Sequence, residues 1–210
     1  MPPALDLFGA QTGNCFRAAI ALEEAGLAYT PSLVDLASGA HRGPAHLALN
    51  PRGRVPVLVV RHGADQNGAD ELVLTQSNAI ALWADVQAPG ALLPRDSVAR
   101  AIAVDRWLFV VTDIIILNGA AFRLQRAGLP KDARAPLEAE ATGALADFED
   151  LLGDRPWLGG ETFTLADIAG YTIARHYQAA LDWARLPRLR RWFEAAGGRP
   201  AVQRGLAAFG

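Results

Sequence analysis

The sequence predicts an α/β domain over residues 1–86, a linker over 87–96 and an all-α domain over 97–210. Short apolar runs alternate with helical patterns up to Trp83, as strands joined through helices do. Gln87 to Ser97 then holds Pro89, Gly90 and Pro94 outside any periodic pattern, which marks a boundary between domains. Beyond it the chain is helical in composition and offers no convincing strand.

Leu5 to Phe8 is a short apolar run ended by Gly9, and Asn14 to Ala25 is a strong helix stopped by Gly26. Tyr29 to Leu36 gives a second strand, so this unit requires a parallel pair joined by a right-handed crossover. Pro56–Val60 and Leu72–Leu74 follow as hairpin strands, with a turn-prone stretch from Arg61 to Gly68 between them. A helix then opens at Ser77, placed as its N-cap, and runs through Ala79-Ile80-Ala81-Leu82-Trp83. The order β-α-β-α-β-β-α is that of a thioredoxin-like domain.

In the second domain, a helix from about Ser97 to Asn118 carries Val110, Val111, Ile114, Ile115, Ile116 and Leu117 on more than one face. That pattern predicts burial on several sides, between domains or between subunits. Asp132 to Leu152 reads as a partly solvated helix, and Pro187–Ala196 and Pro200–Phe209 as short closing helices. The clearest local signal is Phe163-Thr164-Leu165-Ala166-Asp167-Ile168. Thr164 is the N-cap, Asp167 reaches back to it, and Phe163 packs on Ile168, which makes a capping box with a hydrophobic staple.

At 51% hydrophobic and 20% charged, 210 residues suffice for two small globular domains. A net charge of −2 offers no basic field for nucleic acid. No run approaches the roughly 18 uncharged apolar residues of a membrane span, so neither partner is expected. One cysteine, Cys15, excludes an intramolecular disulfide framework, and Met1 to Asp6 lacks the features of a signal peptide. A cytoplasmic protein is the expectation. Neither metal-ligand spacing, nor a phosphate loop, nor a hydrolase triad is visible: His62 and Asp65 sit in a polar turn, and His46 is alone.

Asn50-Pro51-Arg52-Gly53 makes a turn, and Val55 to Val60 is too short for a helix and reads as a strand. A proline at its start places that end of the strand at an edge facing a groove, where the Val55 backbone is open to a peptide-like ligand. By itself the Val55–Pro56 bond would be trans, since only about 5–6% of such bonds in folded proteins are cis. The start of the Ser77 helix offers free N–H groups and a partial positive charge for a carboxylate. Together, Asn-Pro-x-Gly-x-Val-Pro-Val-Leu and Gln-Ser-x-Ala-Ile resemble the glutathione-binding half of cytosolic glutathione transferases. Thr164-x-x-Asp167 resembles the start of the buried helix in their second domains, so the likeness spans nearly the whole chain.

The resemblance implies that Pro56 is cis, that the Val55 backbone pairs with the cysteinyl part of glutathione, and that Gln76 and Ser77 hold the γ-glutamyl carboxylate. Glutathione is then a co-substrate, no metal takes part, and the protein is a homodimer. The chemistry needs a hydrogen-bond donor at the sulfur, because the thiolate is the nucleophile and an unperturbed thiol near pKa 8.5 is mostly protonated at neutral pH. Phe8 stands where some classes carry a catalytic tyrosine. Thr12-Gly-Asn-Cys-Phe-Arg-Ala looks like the Ser-x-x-Cys-Arg loop of serine-type transferases, with Thr12 in the serine's role. Asn14 is the second candidate donor, through its amide or backbone N–H. It aligns with the cysteine of another bacterial class, so mixed-disulfide chemistry at that position is disfavoured. Cys15, beside Phe16 and Ala19, reads first as core. His41, Arg42 and Arg54 are candidates for the glycine carboxylate, against a solvated basic loop. Trp107, His176 and Tyr177 either line the second-substrate pocket or belong to the core. The expected activity is a glutathione transferase acting on a small apolar electrophile. The alternatives are a glutathione-dependent disulfide or peroxide reductase and a transferase-like protein that binds without turnover.

Overall fold

A computed structural model of the chain describes residues 3–61 and 71–210, so most of the expected turn between the hairpin strands lies outside it. Two compact units are present, one of residues 1–92 with 200–210 and the other of 93–199. The expected helical domain runs to residue 210, but the last helix clusters with the first unit instead.

In that first unit the strands are β1 (Ala4–Gly9), β2 (Thr30–Leu33), β3 (Val57–Arg61) and β4 (Glu71–Leu74). Their order is β2-β1-β3-β4, with β1 parallel to β2 and antiparallel to β3, and β3 antiparallel to β4. The helices are α1 (Gly13–Glu24), α2 (Pro44–Leu49), α3 (Ser77–Gln87) and α10 (Pro200–Ala207). β1 alternates, burying Leu5 and Leu7 while Ala4 faces out, whereas Val57 to Val60 are all fully buried. A strand apolar on both faces belongs in the middle of a covered sheet. β3 is an inner strand, with β1 on one side and β4 on the other, so the expected edge is confined to its start: the ladder begins at Val57 and leaves Val55 and Pro56 outside it. α1 packs on α3 and on α10. A Cβ on Gly205 of α10 would stand 2.7 Å from the backbone N of Ile20 in α1, so the two helices meet backbone to backbone.

The second unit holds α4 (Ser97–Phe109), a wider π-type segment (Val110–Ile115), α5 (Ile116–Arg126), α6 (Lys131–Ala146), α7 (Phe148–Leu152), α8 (Leu165–Tyr177) and α9 (Pro187–Gly197). Asp96 caps α4 by accepting the N–H groups of Val98 and Ala99. At the centre stands α8, buried without a break from Leu165 to Ala174. The expected capping box is present there, with Thr164 and Asp167 each bonded to the other's backbone.

The helix running from Ser97 to Arg126 departs from expectation in two ways. Val110 and Ile114 are buried, but Ile116 is 54% exposed and Phe122 55%, so within one chain it is covered on one side rather than several. It is also long and apolar enough, by length and composition, to cross a membrane: an 18-residue window reaches a mean hydropathy of 1.6 with 22% of it buried. A criterion of uncharged runs passes over this window, because Asp113 and Arg123 interrupt the run without lowering its mean hydropathy enough.

Candidate glutathione site

β1 ends at Gly9 and α1 begins at Gly13, so Thr12 stands where the chain turns from sheet to helix and is the N-cap of α1. Its Oγ1 accepts the Cys15 N–H at 3.4 Å and donates its own proton to Cys15 Sγ at 3.1 Å. Cys15 is fully buried. Burial pushes its thiol above the ordinary value, and the Thr12 bond, the Ala10 backbone and the Arg17 charge oppose that only in part. At neutral pH Cys15 is a protonated core thiol.

Asn14 is exposed on the first turn of α1, and its Oδ1 accepts a hydrogen bond from Arg17 Nη1 at 2.9 Å. The same nitrogen donates to Ser77 Oγ at 3.0 Å, across from α1 to the first residue of α3. Arg17 is 3% exposed. Desolvation draws its pKa down to about 10, so it remains a cation at neutral pH. The N-cap of α3 is Gln76 rather than Ser77, and the Gln76 side chain makes no capping bond. The Ser77 hydroxyl bonds Arg17.

The Val55–Pro56 peptide is cis, as the resemblance implied. The ladder opens with the pair Phe8–Val57, so Val55 lies ahead of it. Two buried side chains set the approach: His46 Nε2 and Asn50 Nδ2 lie 3.0 and 2.8 Å from the Arg54 carbonyl, and Asn50 Oδ1 accepts the Arg52 N–H at 3.1 Å. Gly53 has φ of 57°, and a Cβ there would meet the His41 carbonyl and Arg42 Cδ at 3.0 Å each, which places both basic residues beside this loop. Arg42 and Arg54 are exposed and His41 is half-buried.

Among the second-unit candidates, Trp107 and Tyr177 are buried, and Tyr177 donates its hydroxyl to Asn118 Oδ1 at 3.0 Å. His176 is exposed and stands edge-on to the Tyr177 ring with centroids 4.8 Å apart. An open cavity of about 560 Å³ in this unit is walled by Asp105, Asp113, Asp147 and Asp150 among others, and by none of those three residues.

Three residues of this site do not stand out in the sequence. Asn50 and His46 hold the Val55 loop, and the only signal for the former is its place in an Asn-Pro turn. For Arg17 the signal is its spacing of three from Asn14 on one helix face.

The family models for the glutathione S-transferase N-terminal and C-terminal domains match residues 13–87 and 131–195. A disulfide-bond oxidoreductase of Escherichia coli, YfcG, is 30% identical over 207 residues, covering 96% of this chain and 94% of the relative. Glutathione S-transferase 3 of Zea mays is 34% identical over 210 residues, with 93% and 89% covered. A glutathione transferase family member from Pseudomonas fluorescens, solved with two glutathione bound, superposes with a TM-score of 0.84 at 27% identity, covering 97% of this chain and 92% of that one. With both domain models matched in order and relatives aligned from end to end, the chain belongs to the glutathione S-transferase family and is a glutathione transferase enzyme.

Proposed function

We propose that this enzyme binds glutathione on its first unit, stabilises the thiolate with Thr12, and directs it at a small apolar electrophile. Gln76 and Ser77 hold the γ-glutamyl carboxylate at the start of α3, the Val55 backbone pairs with the cysteinyl residue, and His41, Arg42 or Arg54 meets the glycine carboxylate. Trp107, Tyr177 and His176 serve the electrophile. The observation that carries this reading is the place of Thr12 as N-cap of α1, where its hydroxyl accepts the Cys15 N–H and donates to Cys15 Sγ at 3.1 Å; to serve glutathione, that proton rotates from the Cys15 sulfur to the bound one. A donor so polarised at a helix start, where the macrodipole favours negative charge, lowers the pKa of a thiol placed against it.

Thr12→Ala is expected to raise the pKa of enzyme-bound glutathione by about one unit, leaving roughly tenfold less thiolate at a pH below both values, with little change in affinity. Ultraviolet titration of the bound thiolate reads this directly. Thr12→Ser should keep the thiolate, and Cys15→Ala should lose packing but not the titration. The opposite pattern, Thr12→Ala silent and Cys15→Ala inactive though folded and glutathione-bound, would replace this mechanism by cysteine redox chemistry. Absence of both glutathione binding by calorimetry and turnover with electrophiles, disulfides and peroxides would sink the whole reading.

A second reading, disulfide reduction, is favoured by the likeness to the Escherichia coli disulfide-bond oxidoreductase, which is aligned over 96% of this chain; with Cys15 sealed in the core, the chemistry does not use it. Exchange then runs between glutathiones. One thiolate attacks the disulfide and expels a thiol; a second attacks the mixed disulfide and yields the other thiol and glutathione disulfide. Turnover of a small disulfide that survives Cys15→Ala would select this reading over conjugation.

The chain acts as a homodimer in the cytoplasm. Val98, Ile102, Leu108, Ile116 and Phe122 are exposed along the helix from Ser97 to Arg126, an apolar stripe that a second copy would cover. Light scattering at micromolar concentration is expected to give twice the chain mass; a monomer would refute the dimer.

A further inference from the structure

Arg17 is buried between two groups that the proposed site turns toward its ligand. One nitrogen, Nη1, donates to Asn14 Oδ1 at 2.9 Å and to Ser77 Oγ at 3.0 Å. The chemistry of those acceptors matters more than the distances. A serine hydroxyl is donor and acceptor at once, and an asparagine amide can face either way. Once a guanidinium, which has donors only, occupies the Ser77 lone pair, the serine proton must point elsewhere. Once it occupies Asn14 Oδ1, the amide NH₂ must face away from it. Asn14 is exposed and Ser77 opens a helix whose free N–H groups already favour an anion.

We infer that Arg17 is a positioning residue that sets the hydrogen-bond polarity of the glutathione site, holding the Ser77 hydroxyl and the Asn14 amide as donors toward an anionic ligand. The inference rests on the glutathione reading above and deepens it. It makes the carboxylate, rather than glutathione as a whole, the group whose binding depends on Arg17. The guanidinium acts through Ser77, whose hydroxyl it bonds.

The test compares two ligands on the full chain: glutathione, and γ-aminobutyryl-cysteinylglycine, which lacks the glutamyl α-carboxylate. By calorimetry, Arg17→Met is expected to weaken glutathione roughly ten- to hundredfold while moving the analogue by less than about threefold. Ser77→Ala should give the same selective loss, and the double variant should lose no more than the larger single one, since both remove one interaction. An equal loss on both ligands, no loss on either, or additive losses in the double variant would overturn the inference while leaving the wild-type glutathione reading intact. Failure of the wild type to bind glutathione would instead overturn that reading. If Arg17→Met does not fold, Arg17→Lys serves: it keeps the charge but replaces a planar fork by one ammonium. Its affinity ratio for glutathione over the analogue should fall at least about threefold, and an unchanged ratio would overturn the proposal.

Discussion

Asp167→Ala is expected to remove several kcal/mol of stability, enough to leave the second unit partly unfolded at 37 °C. Its carboxylate is fully buried and accepts four hydrogen bonds: from Leu158 N at 2.8 Å, Thr164 N at 2.8 Å, Thr164 Oγ1 at 3.0 Å and Trp192 Nε1 at 2.8 Å. Burial pushes its pKa up to about 6 against the pull of those donors, so at neutral pH it is a carboxylate. Truncation leaves the Leu158, Thr164 and Trp192 N–H groups buried without an acceptor, at about 1–3 kcal/mol each. Relief of a buried charge offsets part of this. A net loss of about 3–5 kcal/mol is a large share of the roughly 5–15 kcal/mol that holds an ordinary domain. Urea unfolding followed by tryptophan fluorescence measures it, since Trp192 is one of the freed donors. Glutathione affinity per folded molecule should not change, because every residue proposed to hold glutathione lies in the first unit. A drop below about 1 kcal/mol would mean that water replaces the carboxylate.

Gly205→Val is expected to damage the first unit as severely. A Cβ at position 205 would stand 2.6 Å from Ile20 Cγ1, 2.7 Å from Ile20 N and 2.8 Å from Ile20 Cα. Two of those three atoms are backbone of α1 and cannot swing aside. Overpacking costs typically about 1–3 kcal/mol where side chains can repack, and more where they cannot. The substitution should therefore release α10 from α1, seen as early proteolytic cleavage within residues 200–210. α1 carries Asn14 and Arg17 and is capped by Thr12, so glutathione affinity should fall with it. Gly143→Ala is the control: position 143 lies inside α6, a Cβ there would meet nothing within 4 Å, and alanine should stabilise by about 0.5–1 kcal/mol. A Gly205→Val variant as stable as wild type would show that α10 has another seat.

What the sequence reveals is what local chemistry decides. The Val55 to Val60 run with its leading proline, and Thr164 with Asp167, are readable because the cause lies within a few residues of the effect. Arg17 is not readable as a site residue. An arginine in a helix is by default a surface residue, and the Ser77 hydroxyl that Arg17 bonds lies sixty positions away in the chain. The seat of Pro200–Ala207 is hidden for the same reason: an amphipathic helix states that it needs a partner but not which one. Ser77 as N-cap misses by one position, within the fraying of any helix end. The long apolar helix misleads because hydrophobicity records what must be covered, not whether the same chain covers it.

The seat of α10 bears on how the protein is made. The first unit contains residues 1–92 and 200–210, so its set of parts is not complete until the second unit has been translated. At roughly 5–20 residues per second, the intervening stretch of about a hundred residues holds the ribosome for something like 5–20 seconds. Throughout that interval the face of α1 around Ile20 waits without its cover, apolar and open to other nascent chains. The glycine at 205 then has to dock on a surface that is already formed.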